Sequence, residues 1–369
     1  MKKVLQVIGK LKIGGAENVA MNLYRYIDRT KFEFHYLVYG DLVGEYEEEV
    51  IKMGGKVIHI NYEPKNQKKF KSDFENVIKK NGPYDVIHAH MMFHNGIVLK
   101  MAKKNKIPIR ISHSHSTNDG VEKKNLKDYF IRGIYDYMSL LRIKLNGNVF
   151  LACGLDAGHF LYGKEFFDKN GIVIRNGIDV NRFKFNVKKR NIIREKMNFN
   201  NKHIYCCIGH FDTVKNHQFL INVFSKIVEI DKSAFLVLLG DGVLRKDIEE
   251  LCVEKKVNDN VLFLGNVNNI DEWLQAVDFL LMPSLYEGIP VTLIEAQAAG
   301  VKCFVSDRIS KEVDYSNTIN FIPLENQEQW IRIADENINY IRPNNMKLVA
   351  ESGYDVRENI KMVQKIYEG

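Results

Sequence analysis

Short apolar segments alternate with longer amphipathic segments along this chain. In the first half the apolar segments are residues 4–8, 34–39, 57–60, 86–90, 109–113 and 149–153. Between them, stretches such as 18–27 and 70–80 carry apolar residues at helical spacing. Strands that alternate with helices form parallel sheets, because each helix returns the chain to the edge where the previous strand began. The pattern therefore predicts an α/β fold with a doubly wound parallel sheet.

The alternation stops at a charged stretch, residues 184–202, in which we expect few residues to pack, and then begins again. The second series of apolar segments comprises residues 204–208, 235–239, 261–264, 279–282 and 303–305. A chain of 369 residues is also longer than a single core usually supports. We therefore predict two Rossmann-like domains, residues 1–180 and 181–353, that face each other across a cleft. Ligands of such sheets bind outside the carboxyl ends of the strands.

The composition is that of a globular protein, with 45% hydrophobic and 27% charged residues. No apolar stretch reaches the roughly 20 residues that a bilayer span requires. The apolar run at the N-terminus is interrupted by Lys10 and Lys12 and lacks a small-residue cleavage site, so we interpret it as the first strand and not as a signal peptide. The five cysteines lack C-x-x-C spacing, which favours reduced thiols in a cytoplasmic protein.

Positive charge is concentrated in the first half of the chain. Residues 1–150 hold 26 Lys and Arg against 16 Asp and Glu, whereas the whole chain has a net charge of +7. Such a surface attracts anionic membranes or phosphate-linked ligands. Nucleic acid is not an expected partner, because no nucleic-acid-binding module accompanies the charge. Residues 123–146 combine aromatic and basic side chains at helical spacing, which suits either a membrane interface or an ordinary helix with a solvated basic face.

Residues 283–300 place two carboxylates around a predicted helix N-terminus. The mostly apolar run 277–282 indicates a buried parallel strand, and Pro290 suits the first turn of a helix. Glu287 then lies in the loop after the strand, and Glu295 lies about one and a half turns into the helix. Free N–H groups at a helix N-terminus attract phosphate, and carboxylates accept hydrogen bonds from hydroxyl groups. The segment therefore suits a nucleotide sugar.

Two glycine turns follow strands elsewhere in the chain. Gly14-Gly15 comes after the first strand, and its spacing differs from the G-x-G-x-x-G of dinucleotide enzymes, which disfavours an NAD-dependent dehydrogenase. Gly240-Asp241-Gly242 follows a later strand. Either turn could bind a phosphate through its backbone amides. Either could equally be a simple connection between a strand and a helix.

Together these segments resemble the retaining GT-B glycosyltransferases of family 4, in which Glu287 and Glu295 correspond to the E-x7-E motif. The further segments that follow the family's order, over nearly the whole chain, are Gly14-Gly15-Ala16-Glu17, Asn176-Gly177-Ile178-Asp179, Lys215-Asn216 and Gly240-Asp241-Gly242. Residues 295–300 and 310–314 resemble the exopolysaccharide and capsule subgroup most closely. The resemblance implies a GT-B fold with an acceptor-binding first domain and a donor-binding second domain. It also implies that the last helix, about residues 354–369, packs back on the first domain.

The resemblance implies roles for particular residues. Lys215 and the glycine loop bind the donor diphosphate, Glu295 binds the ribose, and Glu287 binds a sugar hydroxyl near the reacting carbon. A histidine at a strand end faces the donor sugar, and either His113 or His115 fits that position. The expected catalytic residues are Glu287, His113, His115 and Lys215, and the expected donor-binding residues are Gly14, Gly15, His210, Lys215, Gly240, Gly288, Ile289, Val291, Thr292 and Glu295.

One position departs from the family. Where the family has Gly-Arg-Phe, this chain has Gly209-His210-Phe211. A histidine cannot form the bidentate hydrogen bond that arginine forms with phosphate. His210 therefore either binds phosphate as an imidazolium or leaves the enzyme with lower activity.

Several histidines crowd the predicted strand ends, among them His88, His90 and His94. A metal site would need further ligands at suitable spacing, and no Asp-x-Asp or helical H-x-x-x-H motif accompanies them. The resemblance likewise implies a diphosphate held without a metal. We therefore expect no metal and no other cofactor.

These observations predict a glycosyltransferase of the EC 2.4 type in exopolysaccharide or capsule biosynthesis. We expect transfer from a nucleotide diphosphate donor, most simply a UDP-sugar, to a saccharide or lipid-linked saccharide acceptor with retention of configuration. Glu287 is not assigned as a nucleophile, because the family has no agreed one. The expected location is the cytoplasm, at the inner face of the cell membrane through the basic first domain. Two alternatives stay open, a pseudo-glycosyltransferase that only binds nucleotide sugar and a GT-B-shaped sugar-nucleotide epimerase.

Overall fold

The computed structural model of the chain describes residues 1–12, 14–61, 67–116, 126–335 and 340–369. These residues form two compact units. The first unit comprises Met1–Gly177 and Val356–Gly369, and the second comprises Ile178–Asp355. The predicted boundary at 180/181 would cut the helix Val180–Phe183, which begins at Asp179, whose side chain accepts a hydrogen bond from the Asn181 amide. This helix belongs to the second unit, so the boundary lies at 177/178.

The first unit contains a seven-stranded sheet in the order β3-β2-β1-β4-β5-β6-β7, and every strand pair in it is parallel. Its strands are β1 Lys2–Val7, β2 Phe32–Tyr39, β3 Lys56–Ile60, β4 Val86–Ala89, β5 Ile109–Ser114, β6 Val149–Ala152 and β7 Gly171–Val173. Its helices up to residue 177 are α1 Gly15–Tyr26, α2 Glu47–Lys52, α3 Gln67–Asn81, α4 Asn95–Lys104, α5 Leu126–Asn146, α6 Leu155–Tyr162 and α7 Lys164–Asn170.

The second unit contains a six-stranded parallel sheet in the order β10-β9-β8-β11-β12-β13. Its strands are β8 His203–Ile208, β9 Ala234–Leu239, β10 Val261–Gly265, β11 Phe279–Met282, β12 Lys302–Ser306 and β13 Ile319–Ile322. Its helices are α8 Val180–Phe183, α9 Val187–Lys196, α10 His217–Ile230, α11 Arg245–Glu254, α12 Ile270–Ala276, α13 Val291–Ala298, α14 Gln327–Ile331 and α15 Met346–Val349. The predicted fold class, two Rossmann-like parallel-sheet domains, is confirmed.

Both faces of each sheet are covered, as the apolar strands require. In β1, for example, Val4 belongs to one core and its neighbour Leu5 to the core on the opposite face. The last helix, α16 Val356–Glu368, adds Val356, Ile360 and Val363 to the same core as Val4. These residues recur at helical spacing, so one apolar face of α16 completes the first unit.

The charged stretch 184–202 is not the poorly packed break that its composition predicts. It contains α9, and Arg194 on this helix is buried. Arg190 and Arg194 both form ion pairs with the buried Asp278, at 2.5 and 3.2 Å. Further guanidinium hydrogen bonds reach the Ala276 carbonyl. Because buried charges are tolerated when they are paired and hydrogen-bonded, a strongly charged helix can pack here.

No helix in the described part of the chain combines the length and the apolar character needed to cross a membrane. The five cysteines are free thiols, four of them buried and Cys153 half-buried. Burial raises the pKa of the Cys153 and Cys252 thiols to about 11, so these groups are poor nucleophiles.

Candidate active site

The strand order of each sheet reverses at one point, and ligands of parallel sheets bind at such points. In the first unit this point lies between β1 and β4, and in the second between β8 and β11. Gly14 and Gly15 follow β1, and His90 follows β4. Lys215 follows β8, and Glu287 follows β11. The fold therefore places these predicted site residues after the carboxyl ends of the four switch-point strands.

Lys215 and Glu287 form an ion pair in the second unit, with Nζ and Oε1 2.5 Å apart. The Ser284 hydroxyl donates to the same carboxylate oxygen at 2.8 Å. The Lys215 amide donates to Asp212 Oδ1 at 3.0 Å, which ties down the loop that carries the lysine. Both charged side chains are largely shielded, with exposed fractions of 19% and 13%. The loop after β8 and the loop after β11 therefore meet through these two residues.

Glu295 is half-buried on α13, in the second turn of this helix. Burial raises the pKa of its carboxyl to about 8; nearby Asp271 also raises it, and Arg182 opposes the shift. Arg182 is itself paired with Asp271 at 2.6 Å. Since hydroxyl donors stabilise the ionised form of a carboxyl, a diol bound at this group would lower its pKa.

The N-terminus of α13 is not capped by a side chain. Pro290 occupies the N-cap with extended backbone, one position before the predicted first turn, and it offers no capping group. The amides of Val291 and Thr292 therefore lack the intrahelical partners that later residues have. Gly288 and Ile289 precede this turn, and a Cβ added at Gly288 would meet no atom within 4 Å. The space beside this helix terminus is open, as an anion site requires.

His210 is exposed, and its Nδ1–H donates to the Asp241 carbonyl oxygen. A carbonyl accepts hydrogen bonds only, so Nδ1 carries a proton. The remaining ring nitrogen, Nε2, is then an acceptor in the neutral ring and a donor only in the imidazolium. His210 can therefore donate to a phosphate only when it is charged.

The glycines of the second unit are explained by close backbone packing. Gly240 has φ of 133°, and a Cβ at this residue would lie 2.0 Å from the Gly209 carbonyl oxygen. A Cβ at Gly242 would lie 2.5 Å from the Phe211 carbonyl oxygen. Side chains would separate the loops after β8 and β9, so these glycines are needed for packing whether or not they also approach a ligand.

The glycine turn of the first unit carries a carboxylate that the sequence argument did not place. Gly14 is the N-cap of α1 and has extended backbone, and Gly15 has open space at its Cβ position. A Cβ at Gly14, however, would lie 2.5 Å from Glu17 Oε2. Burial raises the pKa of the Glu17 carboxyl. An anion at the Gly14 and Gly15 amides would be repelled by an ionised Glu17 carboxylate. Binding of an anion here therefore requires the Glu17 side chain to move away or its carboxyl to be protonated.

Four histidines come together at the carboxyl ends of β4 and β5. His88, His90 and His113 are almost fully buried, and His115 is half-buried just after β5. Burial holds the pKa of all four rings below the usual histidine value, and to about 3 for His88 and His115. The rings are therefore neutral near pH 7. His113 faces the protein interior, and His115 is the more accessible of the two predicted candidates.

Three of these rings, His88, His90 and His113, have nitrogens within 4.8 Å of one another and could be considered metal ligands. His88 Nε2 and His113 Nδ1 are 3.1 Å apart, which is hydrogen-bond distance. Two nitrogen ligands of one tetrahedral zinc ion lie at about the same spacing, because each Zn–N bond is about 2.0 to 2.1 Å long. The spacing is therefore compatible with a shared proton and with a metal, and titration with Zn²⁺ distinguishes the two.

The exposed face of α5 is largely apolar. The large side chains on it are Phe130, Ile131, Ile134, Tyr137, Met138, Leu141 and Leu145, with Phe130 72% and Leu145 70% exposed. The predicted 123–146 stripe falls partly outside the described residues, since 123–125 are not among them. Monomeric proteins rarely expose contiguous apolar surface of this kind without using it. α5 faces the core through Ile143, as the alternative of an ordinary helix predicts, but the exposed side of its described part is apolar and not basic.

Comparisons with known proteins show the family of this chain. Residues 13–182 match the family described as Glycosyltransferase Family 4, and residues 189–317 match Glycosyl transferases group 1. EpsF of Bacillus subtilis (strain 168), a protein of the glycosyltransferase family, is 33% identical to 99% of this chain and matches over 96% of its own length. This chain belongs to the family-4 glycosyltransferases.

Other relatives of this glycosyltransferase agree. The capsular polysaccharide biosynthesis glycosyltransferase CapH of Staphylococcus aureus is 28% identical over 80% of the chain and 79% of CapH. An Escherichia coli UDP-Gal:alpha-D-GlcNAc-diphosphoundecaprenol alpha-1,3-galactosyltransferase is 24% identical over 78% of the chain and 76% of that enzyme. The crystal structure of Anabaena Alr3699/HepE in complex with UDP has the same fold over both whole chains, with a TM-score of 0.79 at 16% identity. The predicted enzyme class is therefore confirmed, with relatives in capsule biosynthesis.

Several residues of the glycosyltransferase site were not predicted from the sequence. Ser284 and Asp212 hold Glu287 and Lys215, but isolated serine and aspartate residues in loops carry no recognisable signal. Gln6 and Tyr367 bond to the histidine cluster from opposite ends of the chain. The sequence signal for Gln6 was a polar residue inside an otherwise apolar strand.

Proposed function

We propose that this enzyme transfers a sugar from a UDP-sugar to a saccharide on a lipid carrier, with retention of the anomeric configuration, at the cytoplasmic face of the membrane. The observation that carries the proposal is the Lys215–Glu287 ion pair beside the uncapped N-terminus of α13. This part of the second unit brings together a cation, a carboxylate that accepts hydrogen bonds from hydroxyl groups, and free backbone amides. A nucleoside diphosphate sugar offers phosphate for the cation and the amides, and hydroxyl groups for the carboxylate.

The diphosphate is the leaving group of the proposed reaction. Its negative charge grows as the glycosidic bond breaks, so a cation beside it stabilises the transition state more than the ground state. We assign this task to Lys215, with the Val291 and Thr292 amides and with His210 in its charged form. In the absence of donor, Glu287 neutralises Lys215, so the lysine is held in place without leaving an unpaired charge.

The two glutamates divide the rest of the donor between them. We assign Glu295 to the ribose hydroxyls, since its poorly solvated carboxyl gains most from two hydroxyl donors. We assign Glu287 to a hydroxyl of the transferred sugar, because it already accepts from Ser284 and Lys215 and can exchange one of these bonds. For the first unit we assign His115 to the sugar, because its side chain is less buried than that of His113 at the end of β5.

The acceptor class is inferred from relatives and from α5. The name of the E. coli relative describes transfer to a sugar on diphosphoundecaprenol, a membrane lipid. An acceptor of this type would require the enzyme to approach a bilayer surface. The exposed apolar face of α5 suits such contact. Lys103 donates a hydrogen bond to the Leu145 carbonyl and so places a positive charge at the C-terminal end of this helix.

The test is a panel of nucleotide sugars incubated with the purified enzyme, with and without undecaprenyl-diphosphate-linked acceptors. We expect one UDP-sugar to be consumed only when acceptor is present, with an α-linked product from an α-linked donor as judged by proton NMR. Lys215→Ala should abolish the turnover, whereas Lys226→Ala, which removes the exposed ion pair with Glu229, serves as the matched lysine control. Conversion of donor without acceptor would indicate an epimerase, and donor binding without any turnover would indicate a pseudo-enzyme.

A further inference from the structure

Gln6 joins two chains of hydrogen bonds that run through the histidine cluster. Its Nε2 donates to the Tyr367 hydroxyl oxygen at 2.9 Å, and its Oε1 accepts from His90 Nε2 at 2.7 Å. Tyr367 continues to His88 Nδ1 at 2.7 Å. Gln6, Tyr367 and His88 have at most 1% of their surface exposed, so no bulk water competes for these groups.

One chain ends on His113 in β5, and the other ends on His115, directly after β5. One chain passes from His88 Nε2 to His113 Nδ1 at 3.1 Å. The other passes from His90 Nδ1 to His115 Nε2 at 2.7 Å. The last atoms, His113 Nε2 and His115 Nδ1, are buried and have no hydrogen-bond partner in the part of the chain that the structure describes. His113 lines a cavity of about 20 Å³, which has room for about one water molecule.

The position of every proton follows from the amide of Gln6. An amide oxygen only accepts and an amide nitrogen only donates, so His90 must carry its proton on Nε2. His90 Nδ1 then accepts, His115 must donate from Nε2, and His115 Nδ1 is left as an acceptor. Along the other chain, the Tyr367 oxygen accepts from Gln6, so its hydrogen goes to His88 Nδ1. His88 then donates from Nε2, and His113 Nε2 is left as a donor.

Rotating the amide of Gln6 by half a turn reverses every bond in both chains. The histidines then carry their protons on Nδ1, His115 becomes the donor and His113 becomes the acceptor. A mixed arrangement would leave two donors or two acceptors facing each other in a buried site, which is unfavourable. The two ends therefore have opposite roles in either arrangement.

We propose that Gln6 is a positioning residue that sets the donor and acceptor roles of His113 and His115 together and in opposite senses. The proposal for the tautomers is independent of the proposed function. Its consequence for turnover rests on that function, through the contact between His115 and the transferred sugar.

The tautomers can be read from the ring-nitrogen chemical shifts of the full-length protein in ¹⁵N-histidine NMR spectra. At a pH of about 8, where buried rings with lowered pKa are neutral, we expect the same tautomer in all four histidines of the wild type. Different tautomers among the four in the wild type would overturn the proposal.

Two substitutions at Gln6 separate the chains. In Gln6→Glu, measured at a pH high enough to ionise this buried carboxyl, both oxygens accept, so Tyr367 donates to the carboxylate and His88 reverses while His90 does not. We expect His88 and His113 to show one tautomer and His90 and His115 the other. In Gln6→Met only the bond to His90 and the bond to the Tyr367 oxygen are lost. His88 and His113 should share one tautomer, in which Tyr367 donates to His88 Nδ1, and His90 and His115 should populate both. Four histidines that still share one tautomer in both variants would contradict the role of Gln6.

Controls distinguish this role from a general structural one. Gln275→Met removes another buried glutamine amide, which bonds to Asn186 and Phe183 in the second unit, and it should leave all four tautomers unchanged. Added Zn²⁺ should not shift the histidine resonances. A Zn²⁺-dependent shift of His88, His90 and His113 would identify a metal site and overturn the proton network.

The effect on turnover separates this inference from the proposed function. Gln6→Met should lower kcat on the order of 10-fold, the loss expected for one disturbed hydrogen bond to the sugar, and Gln6→Glu should lower it less if His115 is the acceptor in the wild type. Tautomers that change as expected while kcat stays constant would leave the network standing and remove His115 from the sugar site.

Discussion

The ammonium group of Lys215 and the carboxylate of Glu287 lie 2.5 Å apart, although the two residues follow different strands, β8 and β11. The pair is shielded from water, so neither charge can be removed without affecting the other. This relationship links the two proposed functions, diphosphate binding and contact with the sugar. It predicts that the two residues respond differently to substitution.

Lys215→Met should weaken UDP binding by roughly 10- to 150-fold, because it removes a charge-assisted hydrogen bond and leaves Glu287 to repel the diphosphate. Glu287→Gln should leave UDP affinity unchanged or higher, since Lys215 is then free for the phosphate, while kcat falls. Isothermal titration with UDP and steady-state kinetics measure the two effects. Equal losses of UDP affinity in both variants would contradict the division of roles.

Glu295 should make donor binding improve as the pH rises. Its pKa is raised to about 8, so near neutral pH the free enzyme holds this carboxyl mainly protonated. Ribose hydroxyls donate best to the ionised form, so UDP affinity should rise with pH, by up to about tenfold per unit, and level off above about pH 8. Glu295→Gln should remove this rise. A wild type and a Glu295→Gln variant with parallel pH dependence would exclude the ribose contact.

His210 should support donor turnover only through its charged form. Its Nδ1–H is engaged by the Asp241 carbonyl, so only the imidazolium has an Nε2–H for phosphate. His210→Arg should therefore preserve or raise activity in steady-state kinetics, because guanidinium stays charged and offers two donors to phosphate. His210→Ala should lose on the order of 10-fold.

The rise from Glu295 should be measured in the His210→Arg background, because the charge of a guanidinium at position 210 does not change with pH. A His210→Ala variant with unchanged donor binding and unchanged transfer would exclude the phosphate role of His210.

The sequence predicted the strands well where burial alone determines them. β11 has the predicted bounds, Phe279–Met282, because an almost uniformly apolar segment after a turn has few other structures open to it. β7 and β13 were missed. β7 has three residues and β13 contains Asn320, so neither forms an apolar run. Short strands at the edge of a sheet form because they pair with a neighbouring strand. The local sequence pattern carries no information about that pairing.

The candidate site was predictable in its elements and not in its contacts. The resemblance indicated Glu287 and Lys215 separately, but their ion pair depends on the adjacency of β8 and β11 in the sheet. The charged stretch 184–202 was misjudged because Asp278, the partner of Arg190 and Arg194, lies far away in sequence. Likewise, Tyr367 meets His88 only because α16 packs on the first unit. Polar contacts between distant segments have no local sequence signature.

Donor binding and transfer should not require a metal. The groups proposed for the diphosphate are Lys215, His210 and backbone amides, which supply positive charge and hydrogen-bond donors without a metal. Treatment with EDTA followed by gel filtration should therefore leave kcat and the donor KM within about twofold, the usual spread of such measurements for an unaffected enzyme. Loss of activity that Mg²⁺, Mn²⁺ or Zn²⁺ restores would contradict this prediction.

The apolar face of α5 should bind membranes. Phe130, Tyr137 and Leu145 lie along one side of this helix and are 72%, 63% and 70% exposed. Replacing all three by serine should abolish sedimentation with vesicles that contain phosphatidylglycerol, since burial of each such side chain contributes about 1.5 to 3 kcal/mol. Val243→Ser, at a 90% exposed position in the second unit, is the control and should sediment like the wild type. The triple variant should keep its activity on a soluble acceptor analogue and lose it on acceptor in vesicles. If the wild type instead forms a dimer that the triple variant does not, and neither binds vesicles, the face is an interface between copies of this chain.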